Sequence, residues 1–292
     1  MNRKGYVLVT SLIFIGILLV LTTSIIKIGI NRVNSLKNIE DQTQAEYIPE
    51  SIINIIFGEY IDETQKFYEN NYSSMSQPMT LPFDFSKYYN ADITATIQSD
   101  PAFNYNNFLI RVTSKYKGII TRCTASGTDI NDIYLNKDGI SLEDPENLNV
   151  FKFYEPREVE KIHIKNNSEI SMDKNEILLK DIETDNIIAR IPTYKLVAVI
   201  NDGKMIFRDS IDIKGIFINN GEIENEFDFN IKGIFIDFSK KSKNVTVSGT
   251  AAYYVKPKKL IYNFKLLKNI RFDLPEYFKF KLEKITTSDL VN

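Results

Sequence analysis

The single histidine and the single cysteine are the first residues to test for chemistry. His163 stands in Lys161-Ile-His-Ile164, where strand alternation sets it opposite the two isoleucines, on a sheet surface. Cys123 stands in Thr121-Arg-Cys-Thr124, at a strand end, and its one conceivable base is His163. A thiol turns nucleophilic where a cation or a base draws off its proton, so this sequence predicts an inert cysteine. One cysteine and one histidine also exclude an intrachain disulfide and any zinc site built from several such ligands. Glycines are scattered singly, without the spacing of a P-loop or a dinucleotide fingerprint. Carboxylates abound, yet no two of them single themselves out as an acid–base pair. The densest oxygen-rich stretch contains Asp129, Asn131, Asp132, Asn136, Asp138, Glu143 and Asp144. Calcium gathers hard oxygen ligands, which makes Asp129, Asn131, Asp132, Asp138 and Glu143 candidate ligands. Their spacing departs from the EF-hand loop, and Asn136-Lys-Asp-Gly139 is a common turn sequence, so no metal is assigned. No cofactor is expected, and the chain reads as non-enzymatic.

Composition narrows the classes further. Hydrophobic residues make up 43% and charged residues 25%, which is ordinary globular usage and excludes a disordered chain. With 292 residues there is room for roughly two domains. Thirty-six Lys and Arg face 38 Asp and Glu, a formal charge of -2, so the whole gives no electrostatic reason to expect nucleic acid. The basic run Lys256-Pro-Lys-Lys259 is short against that background.

The element that must position everything else is at the N-terminus. From Tyr6 to Ile26 runs YVLVTSLIFIGILLVLTTSII, without a charge. A helix of that length spans about 30 Å, the thickness of a bilayer's hydrocarbon core. The residues that follow, Lys27-Ile-Gly-Ile-Asn-Arg32, offer no signal-peptidase site, so the span is expected to be retained. Arg3 and Lys4 sit hard against the span and favour a cytoplasmic N-terminus, although Lys27, Arg32 and Lys37 lie beyond it. No second stretch of this kind follows, which puts the rest of the chain on one side of the membrane.

The junction Arg3-Lys4-Gly5-Tyr6 is a short basic leader ending in glycine, ahead of a retained apolar helix. In this it resembles the type IV pilins and the type II secretion pseudopilins. The resemblance implies cleavage after Gly5 by a membrane-embedded prepilin peptidase, a methylated new N-terminus at Tyr6, and transfer of the helix from lipid into a filament among sister subunits. Most major pilins carry a glutamate at the fifth mature position, where it sets register against a neighbour; this chain has Thr10. A carboxylate at that depth costs about 2.5–3.5 kcal/mol to insert. A hydroxyl can satisfy itself on a backbone carbonyl one turn back. The missing glutamate and the large globular region resemble the tip-type minor subunits, the K-like pseudopilins and X-like minor pilins. The implied function is a minor subunit at or near a filament tip, at the cell surface. The implied partners are the membrane, other pilin subunits and the peptidase, with no nucleic acid specifically indicated. The alternative is an uncleaved single-pass anchor carrying an extracytoplasmic binding module.

Downstream, the expected layout is α+β: a leader (1–5), a transmembrane helix (6–26), an amphipathic stalk (27–70), a first β-rich region (71–145) and a second (146–292). In the stalk Ile30, Val33, Leu36 and Ile39 recur at three-residue steps, and Ile48, Ile52, Ile53, Ile55, Ile56 and Phe57 form an apolar cluster. Pro49 lacks a backbone donor and clashes one turn back, which predicts a break or a kink in the helix there, or the start of a fresh one. Short β-rich runs at 92–97, 107–113 and 116–124 predict consecutive antiparallel strands, and 134–140 a hairpin. Residues 143–146, with Pro145, read as a linker. Further on, 194–200 and 205–208 flank Asn201-Asp-Gly-Lys204 as a second hairpin. Ile-Lys-Gly-Ile-Phe-Ile stands at both 213–218 and 231–236. Two copies fall short of the three that a solenoid needs, so they are read as similar strands of a mainly antiparallel sheet with one solvated face.

Overall fold

The computed structural model describes residues 3–99, 107–225, 227–240 and 245–288. The chain divides into two compact units, Met1–Thr128 with Phe280–Asn292, and Asp129–Lys279. The division therefore falls at Thr128, not near Pro145, and the chain returns to its first unit after Lys279. Pro145 is no linker residue: it opens a short helix whose N-cap, Asp144, accepts a hydrogen bond from the Glu146 amide.

The first unit begins with helix α1 (Arg3–Glu59), followed by α2 (Ile61–Asn71). Its sheet contains β1 (Met79–Thr80), β2 (Asp92–Ser99), β3 (Asn107–Tyr116), β4 (Ile119–Ile130) and β17 (Phe278–Ser288), in the order β1-β2-β3-β4-β17. Strands β2 to β4 pair antiparallel, as expected for the consecutive β-rich runs at 92–97, 107–113 and 116–124, and β1 joins them antiparallel to β2. Lys117 and Gly118, both at positive φ, make the two-residue reversal from β3 to β4. Every second residue of β3 turns inward, Phe108, Ile110 and Val112 among them, and α1 lies against this strand. The helix contributes Ala45, Ile48, Ile52, Ile53 and Ile56, all essentially inaccessible. Burying each such isoleucine is worth about 1.5–3 kcal/mol, which makes the Ile cluster the anchor of this unit. Phe280 stacks on Phe108 at 4.4 Å and meets Tyr68 edge-on at 5.1 Å, tying β17 and α2 into the same core.

The break expected at Pro49 does not occur; α1 runs through it. Proline leaves the carbonyl four residues earlier, that of Ala45, without its helical donor. Thr121 Oγ1 in β4 donates to that carbonyl at 2.7 Å, so the sheet supplies what the proline removes. The interruption comes at Tyr60, whose φ of -121° and ψ of 18° separate α1 from α2.

The second unit contains β5 (Ile140–Ser141), α3 (Pro145–Lys152), β6 (Glu160–Ile164), β7 (Ser168–Asp173), β8 (Glu176–Asp181) and β9 (Ile187–Pro192). It continues with β10 (Val197–Asn201), β11 (Lys204–Phe207), β12 (Ile211–Asn219), β13 (Glu222–Asn225), β14 (Phe229–Asp237), β15 (Val245–Tyr253), β16 (Lys259–Tyr262) and α4 (Phe264–Asn269). Here the antiparallel expectation is overturned. Strands β6, β10, β12, β14, β15 and β16 form one parallel row, and β7, β11 and β13 a second. The turns that begin with β6, β10 and β12 give one strand to each sheet, and β14, β15 and β16 extend the first sheet alone, which is a parallel β-solenoid whose second row is shorter. Asn201-Asp-Gly-Lys204 is accordingly a corner between sheets and not a hairpin turn. The hairpin expected at 134–140 is likewise absent; Asp132–Leu135 is a 3-10 turn, and β5 pairs parallel with β15. Among the described residues the one antiparallel insertion is the β8–β9 hairpin, paired onto β7 within the first turn.

The solenoid's sequence logic is stacking of like on like. The two Ile-Lys-Gly-Ile-Phe-Ile copies align residue for residue, Ile213 on Ile231, Gly215 on Gly233 and Phe217 on Phe235. Ile211, Ile213 and Phe217 turn inward, stacked on Phe229, Ile231 and Phe235 and then on Val245, Val247 and Ala251. The buried corner residues form a ladder: Asn201 Nδ2 donates to Asn219 Oδ1 at 2.8 Å, and Asn219 Nδ2 to Asp237 Oδ1 at 2.9 Å. Gly215, Gly233 and Gly249 stack at φ of +119°, +151° and +141°. A side chain on Gly233 would strike the carbonyl of Gly215, and one on Gly249 that of Gly233. The expectation of one solvated face holds for the first half of β12 and fails for the second. There Ile216 and Ile218 are buried on the outer side, as are Ile234 in β14 and Ala252 in β15, the two strands on which α4 packs.

Candidate membrane and assembly site

From Val7 to Ile39 every large apolar side chain of α1 is more than half exposed. The helix is long and apolar enough to cross a membrane, and nothing among the described residues covers that stretch. Polar side chains inside it are satisfied locally. Thr10 Oγ1 donates to the Val7 carbonyl at 3.1 Å, Thr22 to Leu18 at 2.8 Å and Ser24 to Val20 at 2.8 Å. This is the back-bonding that lets hydroxyls sit in an apolar span where a carboxylate would need a partner. Gly5 and Tyr6 are part of the helical backbone of α1, and their side-chain surroundings lie outside the described residues, as do Met1 and Asn2 altogether.

The bare stretch ends where the sheet takes hold. Lys117 Nζ meets Asp41 Oδ1 at 2.6 Å, and that carboxylate, with the Tyr116 ring beside it, holds the ammonium above its usual pKa. Tyr116 Oη donates to Gln44 Oε1 at 3.0 Å, and Thr121 bonds Ala45 and shares a hydrogen bond with Ser114 at 2.9 Å. Together these side chains form a polar collar at the β3–β4 reversal, immediately beyond the apolar rod. At the other end of the packed half, Tyr88 Oη donates to Glu59 Oε2 at 2.6 Å, and Lys87 Nζ to Tyr60 Oη at 2.6 Å. The Glu59 bond raises the Tyr88 phenol to about 12, and Lys87 lowers that of Tyr60. Sequence reasoning missed the collar. Its one readable signal was hydroxyls at inward positions of β3 and β4, Ser114 and Thr121, opposite a helix that carries a proline.

The other candidates are occupied by structural work. Cys123 is buried within β4, not at its end, and burial together with Glu50 raises its thiol pKa, the opposite of an activated nucleophile. His163 is exposed on β6 between buried Ile162 and Ile164. Asn131 caps the 3-10 turn through the Ile133 amide and donates to the Glu276 carbonyl. Asp138 pairs with Lys256, and the Glu143 amide bonds Ser141. Asp129 is buried at the end of β4, and Asp132 opens the 3-10 turn. Among the described residues no three of His, Cys, Asp or Glu converge on a point that could hold a metal ion.

The fold and site define an α+β protein: an N-terminal helix of membrane-spanning length and composition, followed by β sheets, one antiparallel and others parallel or mixed. That arrangement fits single-pass membrane anchoring and a pilin-like layout. No protein family, no curated protein and no solved structure matches this chain.

Proposed function

We propose that the chain is a minor pilin or pseudopilin subunit, made as a membrane-inserted precursor, cleaved after Gly5 and placed at or near the tip of a type IV pilus-like filament. The observation that carries this reading is the division of one continuous helix. Its first half is a bare apolar rod to Ile39, and its second half, from Ala45 to Ile56, is the core of a helix-on-antiparallel-sheet unit. Each exposed leucine, isoleucine or valine left in water forgoes about 1.5–3 kcal/mol, so the rod needs lipid first and sister helices afterwards. Thr10, satisfied on its own helix, makes no demand for a charged partner in a subunit above, which suits a terminal position. The inserted solenoid gives the bulk that a rare tip subunit tolerates and a repeating one does not. In this reading the protein does no catalysis.

The test is Gly5→Ala in cells with an active prepilin peptidase. Loss of processing and retention in the membrane fraction supports the proposal. Unchanged size and distribution favours the uncleaved anchor with a binding module.

A further inference from the structure

Charge is distributed unevenly along the solenoid. Between Phe229 and Phe272 ten residues are Lys or Arg and one, Asp237, is acidic, so this stretch carries +9 in a chain whose total is -2. Asp237 is buried in the corner ladder and offers its carboxylate to Asn219 and Ser239. The fold brings the lysines of separate loops together. Lys240, in the loop after β14, lies over the Tyr254 ring at 4.5 Å, and Tyr254 opens the next loop, which carries Lys256 and Lys258 and leads to Lys259 at the start of β16. Lys265 follows on α4. All five are exposed. Carboxylates of the second unit reach this end of the solenoid: Asp138, paired with Lys256 at 3.3 Å, Asp212, paired with Lys232 at 2.5 Å, and Asp129, whose charge acts on Lys268. Lys258, Lys259 and Lys265 have no acidic partner among the described residues.

We propose that this end of the solenoid, from β14 to α4, is a docking surface for duplex DNA, bound through its phosphates without regard to sequence. Exposed lysines carried by successive turns give this end of the solenoid a positive surface, which a polyanion complements. Lysine contacts phosphate as a point charge and lacks arginine's planar fork, which suits backbone contact and not base reading. The DNA duplex carries one negative charge per about 1.7 Å of its axis, so a patch of this kind gains from it through counterion release. The near-neutral total hides this surface because the remaining sequence is acidic. The inference stands on the solenoid alone and is independent of cleavage at Gly5.

The experiment uses the full chain in neutral detergent and a short fluorescein-labelled DNA duplex, followed by anisotropy between about 50 and 200 mM salt. The wild type is expected to bind with affinity that falls steeply as salt rises. Replacing Lys240, Lys256, Lys258 and Lys259 by Gln is expected to lower affinity at least about tenfold and to reduce the salt slope by about 3 to 4. The same change of charge at Lys161, Lys165, Lys174 and Lys180 leaves both unaltered, and thermal melts verify that both variants stay folded. Absence of duplex binding by the wild type at low salt overturns the proposal, as does an equal loss in the two variants. Binding to anionic phospholipid vesicles in preference to the duplex also overturns it and assigns the patch to a membrane.

Discussion

Thr121 makes the hydrogen bond that Pro49 cannot. Its hydroxyl lies 2.7 Å from the Ala45 carbonyl, the acceptor that an ordinary residue at 49 would satisfy from within the helix. The helix stays continuous, and the sheet is fastened to it at the place where the backbone is open.

This relationship predicts a rescue. Thr121→Val strands a buried carbonyl and is expected to cost about 1–3 kcal/mol in urea melts. Pro49→Ala returns a helical donor to Ala45, so the valine substitution in that background should cost distinctly less. Equal losses in the two backgrounds would show that Thr121 acts through packing and its bond with Ser114, and not through the Ala45 carbonyl.

The corner ladder runs in one direction. Asn201 donates to Asn219 and Asn219 to Asp237, whose carboxylate has no hydrogen to pass on. Asn219→Ala removes an acceptor and a donor in one step from a fully buried line, for an expected loss of at least about 2 kcal/mol. Asp237→Asn keeps the accepting oxygen and is expected to change stability by less than about 1 kcal/mol. Circular-dichroism melts of the two variants separate them, and a reversed order would contradict the ladder.

Gly233 and Gly58 make a matched pair. Gly233→Ala drives a methyl into the Gly215 carbonyl at positive φ and is expected to cost at least about 2 kcal/mol. Gly58 is helical and exposed with nothing near its missing Cβ, so Gly58→Ala is expected to be neutral or to stabilise by up to about 1 kcal/mol. Chemical denaturation of both variants checks the contrast.

Alkaline pH should weaken the protein through its tyrosines. The Glu59 hydrogen bond raises Tyr88, and burial raises Tyr134, Tyr154, Tyr253 and Tyr262. A phenol whose pKa is higher folded than unfolded gives stability that is complete below about pH 10 and is lost as pH climbs through the folded value. Tyr60, lowered by Lys87, works in the opposite sense and is one group against five. Thermal midpoints should therefore show no tyrosine-linked fall below about pH 10 and decline above it. A decline complete well below pH 10 would point to other groups.

Parts of this architecture were legible in the sequence. The uncharged run from Tyr6 to Ile26, the strands at 92–97 and 107–113 and the Ile cluster from Ile48 to Ile56 declare themselves by period and length. The solenoid did not, because alternation along a strand is the same in parallel and antiparallel sheets. The register signal was present: the two Ile-Lys-Gly-Ile-Phe-Ile copies are followed by Asn219 and Asp237, one rung apart. Its neighbouring rungs keep the shape with different letters, Val197-Ala-Val-Ile-Asn201 before and Val247-Ser-Gly-Thr-Ala251 after, so a count of identical copies stopped at two. Pro49 misled for a related reason, since the donor that rescues its helix lies 72 positions further along the chain. The charged surface was hidden by averaging, an acidic remainder masking a basic end.

The account's central claim is that the apolar helix is freed from its basic leader and moves from lipid into a filament. Mass spectrometry of the protein's N-terminal peptide, taken from cells with an active prepilin peptidase, tests it most directly. The account predicts a chain that begins at Tyr6 with a methylated amine. An intact Met1, formylated or not, in those cells would contradict it.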